Sequence, residues 1–282
     1  MVTTLHEPRW SDLETKGYVI VPKFLQDEEL LRTREDFSQL PRHPNQIYPV
    51  FESSRDRLGP IAEKAESVAA RVRGHTRFRV DLFVSAIYFS TSAGVDFKWH
   101  QDHESYFIHQ NHLDYLNFYV PIVKPDKTRS GLAIVPFDAV LEKYPSSMPQ
   151  IYGKGARRYF PRGKLTLVVD DSTDDDSLLL GFNLEELAIA PELEAGDLLL
   201  MRGDMIHRTQ DADTPRVSLS MRMTRGDGRI TRDTFQAGGE NKHRAIAANP
   251  TLYGDVSLAL ERSPRGELTN VELVKILRTP PT

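Results

Sequence analysis

The sequence predicts a mainly β protein, an antiparallel sandwich or barrel with helices at its flanks. Three observations point there. Beyond Arg73 the chain breaks into short runs rich in β-branched and aromatic residues. Gly, Pro, Asp and Ser clusters separate those runs, with no alternating helical pattern that would cross over a parallel sheet. The two clearest helical patterns both lie before that point.

In chain order, "YVIVPKFL" from Tyr18 to Leu25 reads as a short strand. Asp27 then caps a helix through "EELLRTREDFSQL". A second helix is expected over Arg57 to Arg73, where Ile61, Ala65, Val68, Ala69 and Val72 recur at helical spacing. Strands follow at "FRVDLFVSAIYFS", "YLNFYVPIV", "GLAIVP", "LTLVV", "AIAPEL", "DLLLM" and "RVSLSMRM". The acidic run Asp170 to Ser177 lacks the glycine and closing glutamate of a calcium loop and reads as a solvated loop. From Asp233 the pattern is less regular, and "NVELVKIL" closes it as a helix or strand. No repeat or linker divides residues 1–282. One domain is expected, with a helical part over about 1–75, a strand-rich core over about 76–225 and an extension over about 226–282.

Composition narrows the function. The chain has 282 residues, 39% of them hydrophobic and 27% charged, enough for a packed core. A formal net charge of −4 argues against a nucleic-acid partner. With no cysteine, thiolate nucleophiles, thiolate zinc sites and iron–sulfur clusters are excluded, and any metal must sit on nitrogen and oxygen. No apolar signal segment or membrane-length stretch is visible, so a cytoplasmic location is expected.

The stretch "KWHQDHESYFIHQNHLDY" holds four of the nine histidines. On an extended segment residues i and i+2 share a side, so His100 and Asp102 can meet one ion. The best third ligand is His207 in "GDLLLMRGDMIHRTQ". Two histidines and one carboxylate form the facial triad that binds non-haem Fe(II) and leaves positions open. Farther on, Arg216, Ser218, Ser220 and Arg222 share one strand parity, while Val217, Leu219, Met221 and Met223 share the other. The polar face either grips a carboxylate through Arg216 and Ser218 or marks a wet edge strand.

From about Leu13 to Arg222 the sequence resembles the phytanoyl-CoA dioxygenase family of Fe(II)/2-oxoglutarate-dependent oxygenases. "LETKGYVIVPKFLQDEELL" is similar to that family's entry segment, "WHQD" to its H-x-D box, "SGLAIVP" to its turn-and-strand pattern, "GDLLLMRGDMIHRTQ" to its distal-histidine box and "RVS" to its R-x-S. It departs from the family where Phe137-Asp138-Ala139 replaces the usual Gly-Ser-His. The resemblance implies a double-stranded β-helix, the cupin-like jelly roll, with helices packed on its larger sheet. It implies His100, Asp102 and His207 as iron ligands and Arg216, with Ser218, as the seat of the distal 2-oxoglutarate carboxylate. Asn117 and Tyr88 are candidates for the near carboxylate.

The implied activity is hydroxylation of an unactivated C–H of a small metabolite, an amino acid or a natural-product intermediate. O2 is consumed, and succinate and CO2 are released. Desaturation or cyclisation by the same oxidant is the alternative. Related halogenases carry Gly or Ala where Asp102 stands, which favours hydroxylation, or desaturation or cyclisation by the same oxidant, here. A non-catalytic cupin-like binder and a zinc hydrolase on the same three residues are competing readings. The partner expected is a small molecule, with oligomeric state left open.

His103, Glu104 and Tyr106 are candidate substrate contacts. His109 and His112 read as surface residues, and His6, His43, His75 and His243 as surface or structural ones. Trp99 reads as a packing residue bracing the metal strand. Loops 103–114 and 146–164 are expected to line the pocket. Lys154, Arg157 and Arg158 in the second either favour an anionic substrate or belong to a solvated loop.

Overall fold

Alternation along one strand organises the molecule. In β12 (Val217–Thr224) Val217, Leu219, Met221 and Met223 enter the largest apolar cluster, while Ser218, Ser220 and Arg222 turn to the opposite face. The strand is central. In the computed structural model, which describes residues 7–41, 50–173 and 176–278, it pairs antiparallel with two neighbours. The major sheet runs β1 (Tyr18–Val21), β10 (Leu198–Arg202), β5 (Tyr115–Val123), β12, β3 (Leu82–Ser90) and β2 (Val50–Ser53). The minor sheet runs β6 (Leu132–Ile134), β11 (His207–Thr209), β4 (His100–Gln101), β7 (Arg157–Arg162), β8 (Leu165–Asp170) and β9 (Asp176–Leu180). A third, small pairing joins β13 (Arg229–Thr231) to β14 (Glu267–Thr269). The two large antiparallel sheets and their flanking helices form a double-stranded β-helix.

Helices α1 (Asp12–Thr15), α2 (Asp27–Gln39), α3 (Arg55–Leu58) and α4 (Pro60–His75) precede the core strands. The predicted α4 stripe, Ile61 to Val72, is buried against the apolar face of the major sheet. The single helix expected over Arg57 to Arg73 is in fact two. Gly59 takes φ 48°, and Pro60 cannot continue a preceding helix but can start the next. The cap of α2 is Gln26 rather than Asp27, closed by Glu29 accepting from the Gln26 backbone at 2.7 Å. "AIAPEL" makes only one bridge, Ile189 to Ile134, consistent with Pro191 interrupting a strand ladder.

Two short helices, α5 (Glu104–Phe107) and α6 (Phe137–Lys143), sit within the core. The region beyond Asp233 is more regular than its sequence pattern: α7 (Arg232–Gln236), α8 (Glu240–Ala247), α9 (Pro250–Arg262) and α10 (Asn270–Arg278). Phe235, Tyr253, Val256 and Leu273 from these helices bury Phe107 and Ile108 of the segment that follows the H-x-D motif. The C-terminal helices are thereby locked onto the site. No helix among the described residues is long and apolar enough to cross a membrane.

Candidate metal centre and cavity

The minor sheet brings the histidines together. β11 pairs with β4 so that His207 stands opposite His100, and the two ring centroids are 4.2 Å apart. Asp102, two residues beyond His100, reaches the same point. Its Oδ1 lies 3.5 Å from His100 Nε2 and 3.7 Å from His207 Nε2. One donor atom from each residue falls within 4.8 Å of the others, and among the described residues no further group of three such side chains converges.

Each imidazole is oriented from behind. His100 Nδ1 meets the Lys98 carbonyl at 2.7 Å and His207 Nδ1 meets the Met205 carbonyl at 3.0 Å. A carbonyl only accepts, so Nδ1 carries a proton and Nε2 is the atom turned to the common point, where the neutral imidazole has its lone pair. Burial, then the neighbouring charge of His100, pushes His207 down to about 4. Burial alone would raise the Asp102 carboxyl. Contact with His100 and the fields of His207 and Arg222 outweigh it and hold the group well below the usual carboxylate range. A neutral buried imidazole beside an ionised carboxylate is the state a divalent cation needs. The N,N,O donor set without sulfur suits a non-haem iron ion.

The second anchor lies on β12's polar side. Arg216 is 2% exposed, and its Nη1 donates to the carbonyls of Ser130 (3.1 Å) and Gly131 (3.0 Å). Its Nε, the Ser218 hydroxyl and the Tyr119 hydroxyl are buried with no hydrogen-bond partner. No carboxylate among the described residues lies within ion-pair distance of Arg216. Such a buried cation with unused donors could hold an anion. The wet-edge reading fails because β12 is central and its polar side faces a cavity of about 610 Å3 between the sheets. The triad, Arg216, Ser218 and Tyr119 all line that cavity.

Asn117 also lines it, but its Nδ2 donates to Asp102 Oδ2, the oxygen turned away from the histidines. Tyr88 does not reach the cavity. Neighbouring Ile87 and Phe89 do, so parity sends Tyr88 to the helix side, where its hydroxyl donates to Asp36 at 2.9 Å. His103 and Glu104 line the cavity; Tyr106 turns away beside His112, 5.6 Å between rings. His109 and His112 are buried, not on the surface, because the C-terminal helices and the 151–155 turn cover them. His109 meets Asn270 at 2.9 Å, and burial holds both imidazoles below their ordinary value. Trp99 is buried, with Nε1 donating to Glu185 at 2.8 Å. His6 and His43 lie outside the described residues.

Two features escaped sequence reasoning. The first is a Glu104–Arg222 ion pair on the cavity wall, Oε2 to Nε 2.8 Å. Only the strand parity of Arg222 hinted at it. The second is a wall formed by Asn241, Arg244, Ala245, Asn249 and Tyr253 from α8, α9 and the turn between them. The 146–164 segment is also only partly a loop. Arg157–Arg162 is a strand, and Arg157 and Arg158 are neutralised by Asp170 (2.8 Å) and Asp171 (2.7 Å) from the acidic run. That run is therefore not simply solvated at its start; Asp174 and Asp175 lie outside the described residues.

No family model and no curated protein sequence matches this chain. Solved structures do. EvdO2 from Micromonospora carbonacea var. aurantiaca, complexed with 2-oxoglutarate, is 14% identical with TM-score 0.50, covering 76% of this chain and 89% of its own. The non-haem α-ketoglutarate-dependent carbocyclase SnoK from nogalamycin biosynthesis is 11% identical with TM-score 0.50, covering 84% and 88%. EctD from S. alaskensis is 14% identical with TM-score 0.50, covering 82% and 81%. These likenesses establish the fold.

Proposed function

We propose that this protein is an Fe(II)- and 2-oxoglutarate-dependent oxygenase of the phytanoyl-CoA dioxygenase type that hydroxylates a small molecule. The observation that carries this reading is Arg216: a buried cation with no carboxylate partner, sharing one cavity with a His/Asp/His centre. A zinc hydrolase has no use for such an anion seat, and a mere metal binder has no use for both. In this reading His100, Asp102 and His207 hold the iron. Arg216 Nε and Ser218 Oγ take the distal carboxylate of 2-oxoglutarate, in a cavity that Tyr119 also lines. Bound there, iron with 2-oxoglutarate and O2 supplies an oxidant for a substrate C–H, releasing succinate and CO2. Asn117 fixes the carboxylate of Asp102, and the two backbone carbonyls fix the imidazole tautomers. Bound to iron, Asp102 would take a place that a halide would otherwise need, which favours hydroxylation over halogenation.

Purified protein given Fe(II), ascorbate and 2-oxoglutarate should release succinate slowly without substrate, and 2-oxoglutarate should raise the melting temperature of the metal-loaded protein. Absence of both effects refutes the assignment.

A further inference from the structure

Five cationic side chains line the cavity: Lys98, Arg158, Arg216, Arg222 and Arg244. Four of them have an acidic neighbour. Lys98 lies 2.5 Å from Asp96, Arg158 2.7 Å from Asp171, and Arg222 2.8 Å from Glu104. Arg244, at the mouth and 68% exposed, lies 3.6 Å from Glu240, where solvent screens both charges. Arg216 is the exception, and the proposed cosubstrate uses it. A divalent metal, the Asp102 carboxylate, the Arg216 guanidinium and a 2-oxoglutarate dianion sum to zero. With imidazoles counted as uncharged, what remains of the cavity for substrate has no unmatched buried charge. Its walls carry Phe89, Phe97, Trp99, Phe160 and Tyr253.

Two residues of that wall, Arg222 and Asn117, carry polar atoms without a hydrogen-bond partner. Arg222 Nε lies near Glu104 but off the N–H axis, and Arg222 Nη1 is buried with no partner. Asn117 Oδ1 is likewise buried and unpartnered. The Asn117 amide orientation follows from its other end, because the Asp102 carboxylate can only accept. β12 and β5 place Arg222 directly opposite Asn117. Both residues therefore stand on one stretch of the cavity wall.

We propose that the substrate is uncharged where it enters this cavity. It has an aromatic or alicyclic body, and a hydroxyl or carboxamide that meets the wall carried by Arg222 and Asn117. A carboxylate, phosphate or ammonium compound would meet an already matched Glu104–Arg222 pair and give up its hydration without a free counter-charge. The inference rests on the cosubstrate reading of Arg216.

The test uses the full chain loaded with Zn(II) and saturating 2-oxoglutarate, with three matched probes: phenylpropionamide, phenylpropionate and phenylpropylammonium. Dissociation constants are read by calorimetry or ligand-observed NMR. The amide should bind about tenfold tighter than either ion, because each ion leaves a buried charge uncompensated. Glu104→Gln leaves Arg222 unmatched and should turn the preference to phenylpropionate. Arg222→Met leaves Glu104 unmatched and should turn it to phenylpropylammonium. An ion that binds the wild type as tightly as the amide, an amide that fails to bind at its solubility limit, or an unchanged order in both variants overturns the proposal. A separate arm omits 2-oxoglutarate. Phenylpropionate should then occupy the Arg216 seat, be displaced by 2-oxoglutarate, and be lost in Arg216→Met. If 2-oxoglutarate does not displace it, the cosubstrate reading fails, and the charge preference of the remaining cavity is read on the Arg216→Met protein.

Discussion

Replacing Arg216 by Met separates a ligand seat from a structural strut. The guanidinium spends one nitrogen on the Ser130 and Gly131 carbonyls and leaves Nε without a partner; the hydroxyl of Ser218, two residues on along the same face of the strand, also has none. A hydrogen bond to a charged group contributes about 1.5–3 kcal/mol. Losing the Arg216 bond to a carboxylate, with Ser218 still in place, should therefore weaken 2-oxoglutarate binding by about 1.5–3 kcal/mol, roughly 10- to 150-fold in Kd. Stability should respond differently. Two carbonyls lose a donor, at about 1–3 kcal/mol each if left dry. Against that, an unpaired buried cation disappears, which recovers several kcal/mol. The two effects nearly cancel, so the ligand-free variant should melt close to wild type while 2-oxoglutarate no longer raises its melting temperature. Calorimetric titration of the Zn(II)-loaded protein measures the first quantity, and urea denaturation the second. A 2-oxoglutarate affinity within about threefold of wild type, or a variant destabilised by more than ~3 kcal/mol with its affinity intact, refutes the reasoning.

Asn117→Ala should lower metal affinity about 10- to 100-fold, the usual cost of losing a partner behind a ligand, while 2-oxoglutarate affinity at saturating metal stays unchanged. The reverse pattern would restore Asn117 as a cosubstrate contact. Acid should destabilise the metal-free protein. His207 sits at about 4 when folded against 6.5 ordinarily, so between those values the unfolded chain takes up a proton that the folded chain refuses. Stability should fall as pH drops from about 6.5 to 4, by up to ~3 kcal/mol at about 1.4 kcal/mol per pH unit. The depressed Asp102 acts in the same direction at lower pH, since its contribution is present above the ordinary carboxylate value and lost as pH falls toward its folded one. Urea midpoints with chelator present, for wild type and His207→Gln, check this; parallel pH slopes for the two would contradict it.

Local pattern alone determined a good part of this protein. Strand periodicity separated the two faces of β12, i to i+2 spacing put His100 and Asp102 on one side, and the absence of cysteine left only nitrogen and oxygen donors. Those are properties of neighbouring residues, and backbone geometry transmits them directly. Tertiary structure decided the rest. Whether Tyr88 faced helix or cavity depended on the register of β3 against β12. The burial of His109 followed from the C-terminal helices packing on α5, and the neutralisation of Arg157 and Arg158 from the β7–β8 pairing that carries Asp170 and Asp171 alongside. Glu104 and Arg222 become one ion pair only when the segment after the H-x-D motif folds over the central strand. Charge matching is a property of distances in space, and residues far apart in the chain acquire those distances only after the sheets have closed around the cavity.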